Sequence, residues 1–71
     1  MSKDRIQSGK PFCLVGQFGM FYYDSANNSI NYYSGDLKGQ WYADVIWWGS
    51  TRVLIAHRTG TRIFRYEDIR I

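Results

Sequence analysis

Seventy-one residues with one cysteine, one histidine and a net charge of +3 make a single domain at most. Cys13 alone forms no intrachain disulfide, and no Cys/His set is present to hold a structural metal. A chain this short buries only about 60% of the surface its unfolded form exposes, so stability must come from dense packing, self-association or both.

The composition fits dense packing: four Phe, six Tyr and three Trp bring large rings to a small core. No apolar run approaches the roughly 20 residues of a membrane span. The opening MSKDRIQSGKP is polar and carries both charge signs, which suits neither a signal peptide nor a transit peptide. With one unpaired cysteine this points to a reducing interior, the cytoplasm. The modest positive charge permits an anionic partner without demanding one.

In chain order, residues 1–11 read as a flexible arm carrying Lys3, Arg5 and Lys10, and Pro11 as the entry to one domain over residues 12–71. Phe12 to Val15 is a short apolar run ended by Gly16. Gln17 to Asp24 is the next strand candidate, with Gly19 marking a bulge or bend. Asn27-Asn28 suits a hairpin tip because asparagine tolerates the left-handed conformation. Ile30 to Tyr33 returns as a strand, and a polar loop over residues 34–39 follows.

From Gln40 onward three apolar runs, QWYADVIWW, TRVLIAHR and TRIFRYEDIRI, are separated by Gly49-Ser50 and Thr59-Gly60. Gly49 suits the first position of a type II′ turn, and both pairs suit two-residue hairpin loops. That spacing predicts Trp48 opposite Thr51, Trp47 opposite Arg52 and Ile46 opposite Val53. In the second hairpin it sets His57 against Arg62 and Ile55 against Phe64. Arg65 to Asp68 reads as a single 3₁₀ turn before a last strand over residues 69–71.

No window sustains helical periodicity, and aromatic, β-branched and glycine residues dominate. The expectation is an all-β fold: an antiparallel meander of roughly five or six strands, too small for a sandwich of about 100 residues. Such a meander curls into a partly open SH3-like barrel, with an OB-like barrel as the alternative.

The predicted register sorts the meander into two faces. One holds Tyr42, Ile46, Trp48, Val53, Ile55, Phe64 and Tyr66 and is assigned to the core, with Asp44 as its awkward member. The other holds Trp41, Ala43, Val45, Trp47, Arg52, Leu54, Ala56, Arg58, Ile63, Arg65 and Glu67. A face that merely met water would be polar. This one interleaves tryptophan with arginine, as single-stranded nucleic acid binding requires: bases stack on rings and guanidinium groups meet phosphates.

The expected function is therefore a non-enzymatic module that binds nucleic acid through Trp41, Trp47, Arg52, Arg58 and Arg65, extended by Tyr33 and Lys38. The alternative is a regulator or inhibitor docking on a larger protein through the same face, since these residue types also anchor protein interfaces. A phage- or plasmid-encoded accessory protein fits this description. A homodimer through a sheet edge or the Trp face is a further expectation.

No cofactor or membrane partner is implied. His57, beside Arg62 and Tyr42, reads as a neutral structural or surface residue, Cys13 as a buried small hydrophobe, and Glu67 as the partner of Arg52. No carboxylate pair suits acid–base work, which leaves an active site shared across an oligomer interface as the one enzymatic route.

Overall fold

The structure, a computed structural model, describes residues 6–71. Seven strands run in the order β1 (Cys13–Leu14), β2 (Phe21–Asp24), β3 (Ser29–Tyr32), β4 (Trp41–Trp48), β5 (Arg52–His57), β6 (Gly60–Arg65) and β7 (Ile69–Arg70). A 3₁₀ turn, Tyr66–Asp68, precedes β7 as expected. Strands β2 to β6 form one antiparallel meander in sequential order, and β1 pairs with β7 as a separate ribbon. A bridge between Phe12 and Phe21 joins the ribbon to the sheet. The fold is all-β and partly open: the meander curls, but its edge strands β2 and β6 do not pair with each other.

The core gathers Leu14 and Ile69 from the ribbon and Phe12 just before it with Phe21, Ile30, Val53 and Ile55 from the sheet. Tyr66 enters it from the 3₁₀ turn. Ile6, the one large apolar residue between Met1 and Pro11, is buried in the same cluster, so the packed domain extends past the expected entry at Pro11. The expected arm's Lys3 and Arg5 lie outside the described residues.

Both hairpins of the meander depart from the predicted register, with different consequences. In the second, His57 pairs with Gly60 and the loop is Arg58-Thr59, so Ile55 meets Arg62 and Val53 meets Phe64. Every partner moves by two residues. The period of a strand is two, so the faces survive the shift.

In the first hairpin Trp48 pairs with Val53 and Trp47 with Leu54, but Val45 pairs with Ile55. Ile46 is an extra residue with no partner of its own, which is a β-bulge. A second irregularity sits on the opposite side of β4: Ala43 pairs with Ile30 and Trp41 with Asn31, leaving Tyr42 as the extra residue. Each bulge flips the alternation. Ala43 and Val45, expected on the outer face, are therefore core residues, and Val45 is only 5% exposed. Ile46, expected in the core, is 53% exposed. Asp44 comes out to the surface, which removes the difficulty of a carboxylate facing Ile55.

The bulge at Ile46 is held in place by distant chain. The Val45 N–H donates to the Asn28 carbonyl at 2.9 Å, and Asn28 Nδ2 donates to the Val45 carbonyl at 3.1 Å. Asn28, with φ of 51°, is the left-handed residue of the β2–β3 turn, as its type predicts. The Gln17 to Asp24 candidate is shorter than expected. Strand β2 begins at Phe21, and Gly19 belongs to the preceding loop.

Candidate functional site

Trp47, Arg52 and Arg65 remain together on the outer face because Trp47 lies beyond the Ile46 bulge and the two arginines lie on strands without one. Trp47 is 48% exposed. The Arg52 guanidinium carbon stands 5.7 Å from the Trp47 ring centroid, within the range of a cation–π contact. Arg65 is the cross-strand partner of Arg52. Tyr66 N–H donates to the Thr51 carbonyl, and hydrogen-bonded pairs alternate along an antiparallel ladder, so Arg52 and Arg65 form a non-hydrogen-bonded pair with side chains close together. Glu67 pairs with Arg65, at 3.8 Å, and not with Arg52 as expected. The reason is local: Glu67 lies two residues from Arg65, just past the end of β6.

Gly49 positions the ring. A Cβ at this residue would lie 2.6 Å from two carbons of the Trp47 ring and 2.7 Å from the Arg52 carbonyl oxygen. Gly49 is not in the left-handed region, unlike Gly60 at φ of 127°. The type II′ expectation therefore fails, and glycine is required here for space instead of for backbone conformation. Gly49 N–H donates to the Arg52 carbonyl at 2.8 Å, and the Tyr66 hydroxyl donates to the Gly49 carbonyl at 2.8 Å. Burial holds the Tyr66 hydroxyl pKa above its ordinary value. Beside this anchor Ser50, Thr51, Arg65, Tyr66 and Glu67 line a hollow of about 240 Å³.

Trp41 and Arg58 are brought to a different hollow, of about 180 Å³, at the other end of β4, with Tyr32, Gln40, Tyr42 and His57 among its lining. Trp41 Nε1–H donates to Asp44 Oδ1 at 2.8 Å, so the carboxylate turned outward by the bulge fixes this indole. The His57 ring packs on Tyr42 with centroids 4.7 Å apart. Its Nδ1 accepts from the Thr59 backbone N–H at 3.3 Å and contacts Thr59 Oγ1 at 2.9 Å. Thr59 Oγ1 in turn accepts from Arg62 Nη2 at 3.1 Å. An accepting Nδ1 means a neutral ring protonated at Nε2. Partial burial, then Arg62 and Arg58, hold the imidazole pKa below its ordinary value.

The Tyr42 hydroxyl is buried without a hydrogen-bond partner. Burial raises its pKa, and the charge of Arg62, which acts on it without offering a well-formed bond, works in the opposite direction.

Tyr33 and Lys38 meet at a third hollow, of about 260 Å³, lined also by Gly9, Tyr22, Tyr32 and Gly39. Strand alternation divides the tyrosine pairs: Tyr23 and Tyr32 pack against the core, while Tyr22 and Tyr33 meet edge to face at 6.3 Å. Cys13 is half-buried, not buried, because Phe12 and Leu14 on either side of it take the inward positions.

The alternation read from the sequence sets Trp47, Arg52 and Arg65 on the outer face, as the structure has them, but adds Ala43 and Val45 wrongly and treats as one platform what the fold divides into three neighbourhoods. It also misses Phe18, which is 98% exposed at a loop flanked by Gly16 and Gly19, both in the left-handed region. The signal available was the pair of glycines three apart in GQFG, a loop signature instead of a strand interior.

Among the described residues no group of three or more His, Cys, Asp or Glu side chains is placed to hold a metal ion. No helix among them is long and apolar enough to cross a membrane. Set against protein-family models, curated proteins and solved structures, the chain matches none.

Proposed function

We propose that this chain is a small, non-enzymatic β domain that binds single-stranded nucleic acid on the outer face of β4, β5 and β6. Trp47 is the stacking surface, and Arg52 and Arg65 are the phosphate contacts. The observation that carries the reading is the Arg52–Arg65 cross-strand pair beside an exposed indole. Like charges directly opposite on neighbouring strands destabilise a sheet, and the protein itself compensates in part, through a 3.8 Å contact from Glu67 to Arg65 and the Trp47 ring beneath Arg52. A phosphate between the two guanidinium groups turns that repulsion into attraction. A single strand offers phosphate and an unstacked base within one nucleotide, matching guanidinium and ring at this spacing. Tyr33 with Lys38, and Trp41 with Arg58, provide two outlying positions where further nucleotides can stack or pair. The half-buried, unpaired Cys13 suits a reducing compartment, and the proposal places the protein in the cytoplasm.

The test is a fluorescence titration with mixed-sequence single-stranded DNA, single-stranded RNA and duplex DNA. Quenching of tryptophan emission by single strands, lost in Trp47→Phe and weakening as salt rises from about 50 to 200 mM, is the expected result. Absence of binding at about 100 μM chain removes the proposal.

Phe18 favours a second reading, a regulator or inhibitor that docks on a larger protein. A phenylalanine 98% exposed on a loop tip has the size and chemistry of an interface anchor. A partner retained from a nuclease-treated lysate by the wild type and lost by Phe18→Ser, with oligonucleotide binding unaffected, would support it.

A further inference from the structure

Strand β6 has one neighbour, β5; its other edge pairs with no strand among the described residues. Since the Tyr66 N–H points to β5, so do those of Gly60, Arg62 and Phe64, while Thr61, Ile63 and Arg65 turn their backbone donors and acceptors outward. These three residues are exposed. Ile63, at their centre, is 60% exposed. Edge strands are normally blunted by proline, bulges or cover. Here the β5–β6 register runs without interruption and β6 contains no proline, so the edge is unbroken and, among the described residues, unpaired.

We infer that two copies of this chain pair through β6, edge to edge and antiparallel, about a two-fold axis at Ile63. Outward-facing residues pair only with outward-facing residues, and the set Thr61, Ile63 and Arg65 is symmetric about its middle member. Ile63 therefore meets Ile63 of the second copy, and Thr61 meets Arg65. No arginine falls directly opposite another: Arg65 faces threonine, and Arg62 faces Phe64. The antiparallel arrangement also brings the chain that follows β6, carrying Glu67 and Asp68, towards the Arg58-Thr59 turn of the second copy. That places acid beside base at both ends. A second copy thus supplies its own charge complement, which an unrelated strand would have to match.

The pairing does not rest on the nucleic-acid reading and leaves Trp47 and Arg52 uncovered. It joins two five-stranded sheets into one and sets two Trp47 surfaces on the same continuous sheet.

Cysteine cross-linking in a Cys13→Ser background tests both partner and register. Hydrogen-bonded opposite residues lie about 5.5 Å apart at Cα, within disulfide range. Ile63→Cys should oxidise to a covalent dimer, and Thr61→Cys with Arg65→Cys should cross-link when both are present. Thr61→Cys alone should not, because its copies lie about 13 Å apart along the strands. Sedimentation of the wild type at millimolar chain should give a dimer, and Ile63→Lys a monomer whose melting temperature matches the wild type's at micromolar chain, where the dimer has dissociated. A wild-type monomer at that concentration, or Ile63→Cys cross-linking no faster than Thr61→Cys alone, overturns the inference. If Ile63→Lys fails to fold, the cross-linking pattern decides.

Discussion

Arg52 and Arg65 stand directly opposite one another on the exposed face of the sheet, as partners in the β5–β6 ladder. Non-hydrogen-bonded partners approach to about 4.5 Å at Cα. Two guanidinium groups so placed repel, and Arg52 relieves part of this by lying over Trp47. Removing one arginine should therefore separate stability from binding. Arg65→Ala should leave unfolding free energy within about 0.5 kcal/mol of wild type, since lost repulsion offsets the lost contact to Glu67. Oligonucleotide affinity should fall across all sequences, and the slope of log affinity against log salt should flatten by about 1. Thermal melts and anisotropy titrations at several salt concentrations measure the two effects. A stability loss that accounts for the binding loss contradicts the assignment.

Gly49 offers a sharper test of how the indole is placed. A methyl group there collides with the Trp47 ring and with the Arg52 carbonyl oxygen. The ring can move, but the carbonyl belongs to the turn itself. Gly49→Ala should destabilise by about 1–3 kcal/mol, the range for overpacking, and change the Trp47 emission of the folded state. Denaturant unfolding and native-state fluorescence measure both.

Tyr66 closes the same turn from the far side. In Tyr66→Phe the ring still fills the core, but the part-buried Gly49 carbonyl loses its donor. The expected loss is about 1–3 kcal/mol, the desolvation cost of an unpaired buried group. Denaturant unfolding checks it, and a neutral outcome would mean that water replaces the hydroxyl.

The pH dependence has opposite signs at its two ends. Tyr42 and Tyr66 have raised pKa values in the folded state. Above the ordinary tyrosine pKa near 10 the unfolded chain loses protons that the folded chain keeps, so stability falls as pH rises from there. His57 is lowered in the folded state. Below its ordinary value near 6.5 the unfolded chain binds a proton that the folded chain resists, so stability falls as pH drops. Melting temperature against pH should show a plateau between these limits, and His57→Gln should reduce the acidic slope.

The bulge in β4 makes a prediction that the simple alternation reverses. Val45→Ala removes core contacts and should cost about 1–3 kcal/mol, whereas Ile46→Ala removes an exposed side chain and should change stability by less than about 0.5 kcal/mol. Equilibrium unfolding of the two variants distinguishes the registers directly.

Composition and turn chemistry were sufficient to specify an all-β meander with a 3₁₀ turn before its last strand. These signals are local: β-branched and aromatic runs, Asn28 at a left-handed position, and glycines between strands. The core positions Val53, Ile55, Phe64 and Tyr66 were also readable, because the second hairpin's register error was two residues and a period of two absorbs it. The outer set of Trp47, Arg52 and Arg65 survived for the same reason. Tertiary structure alone decided the faces of Ala43, Asp44, Val45 and Ile46. The run WYADVIWW is apolar on both alternations except at Asp44, which signals that the alternation flips but not where the extra residue enters. The Asn28 backbone and side chain on one side of β4 and the β5 ladder on the other select that position. Both are long-range contacts that no window of β4 contains. The same is true of the division of the expected platform: bulges bend β4, and residues continuous in sequence are carried to separate hollows at its two ends.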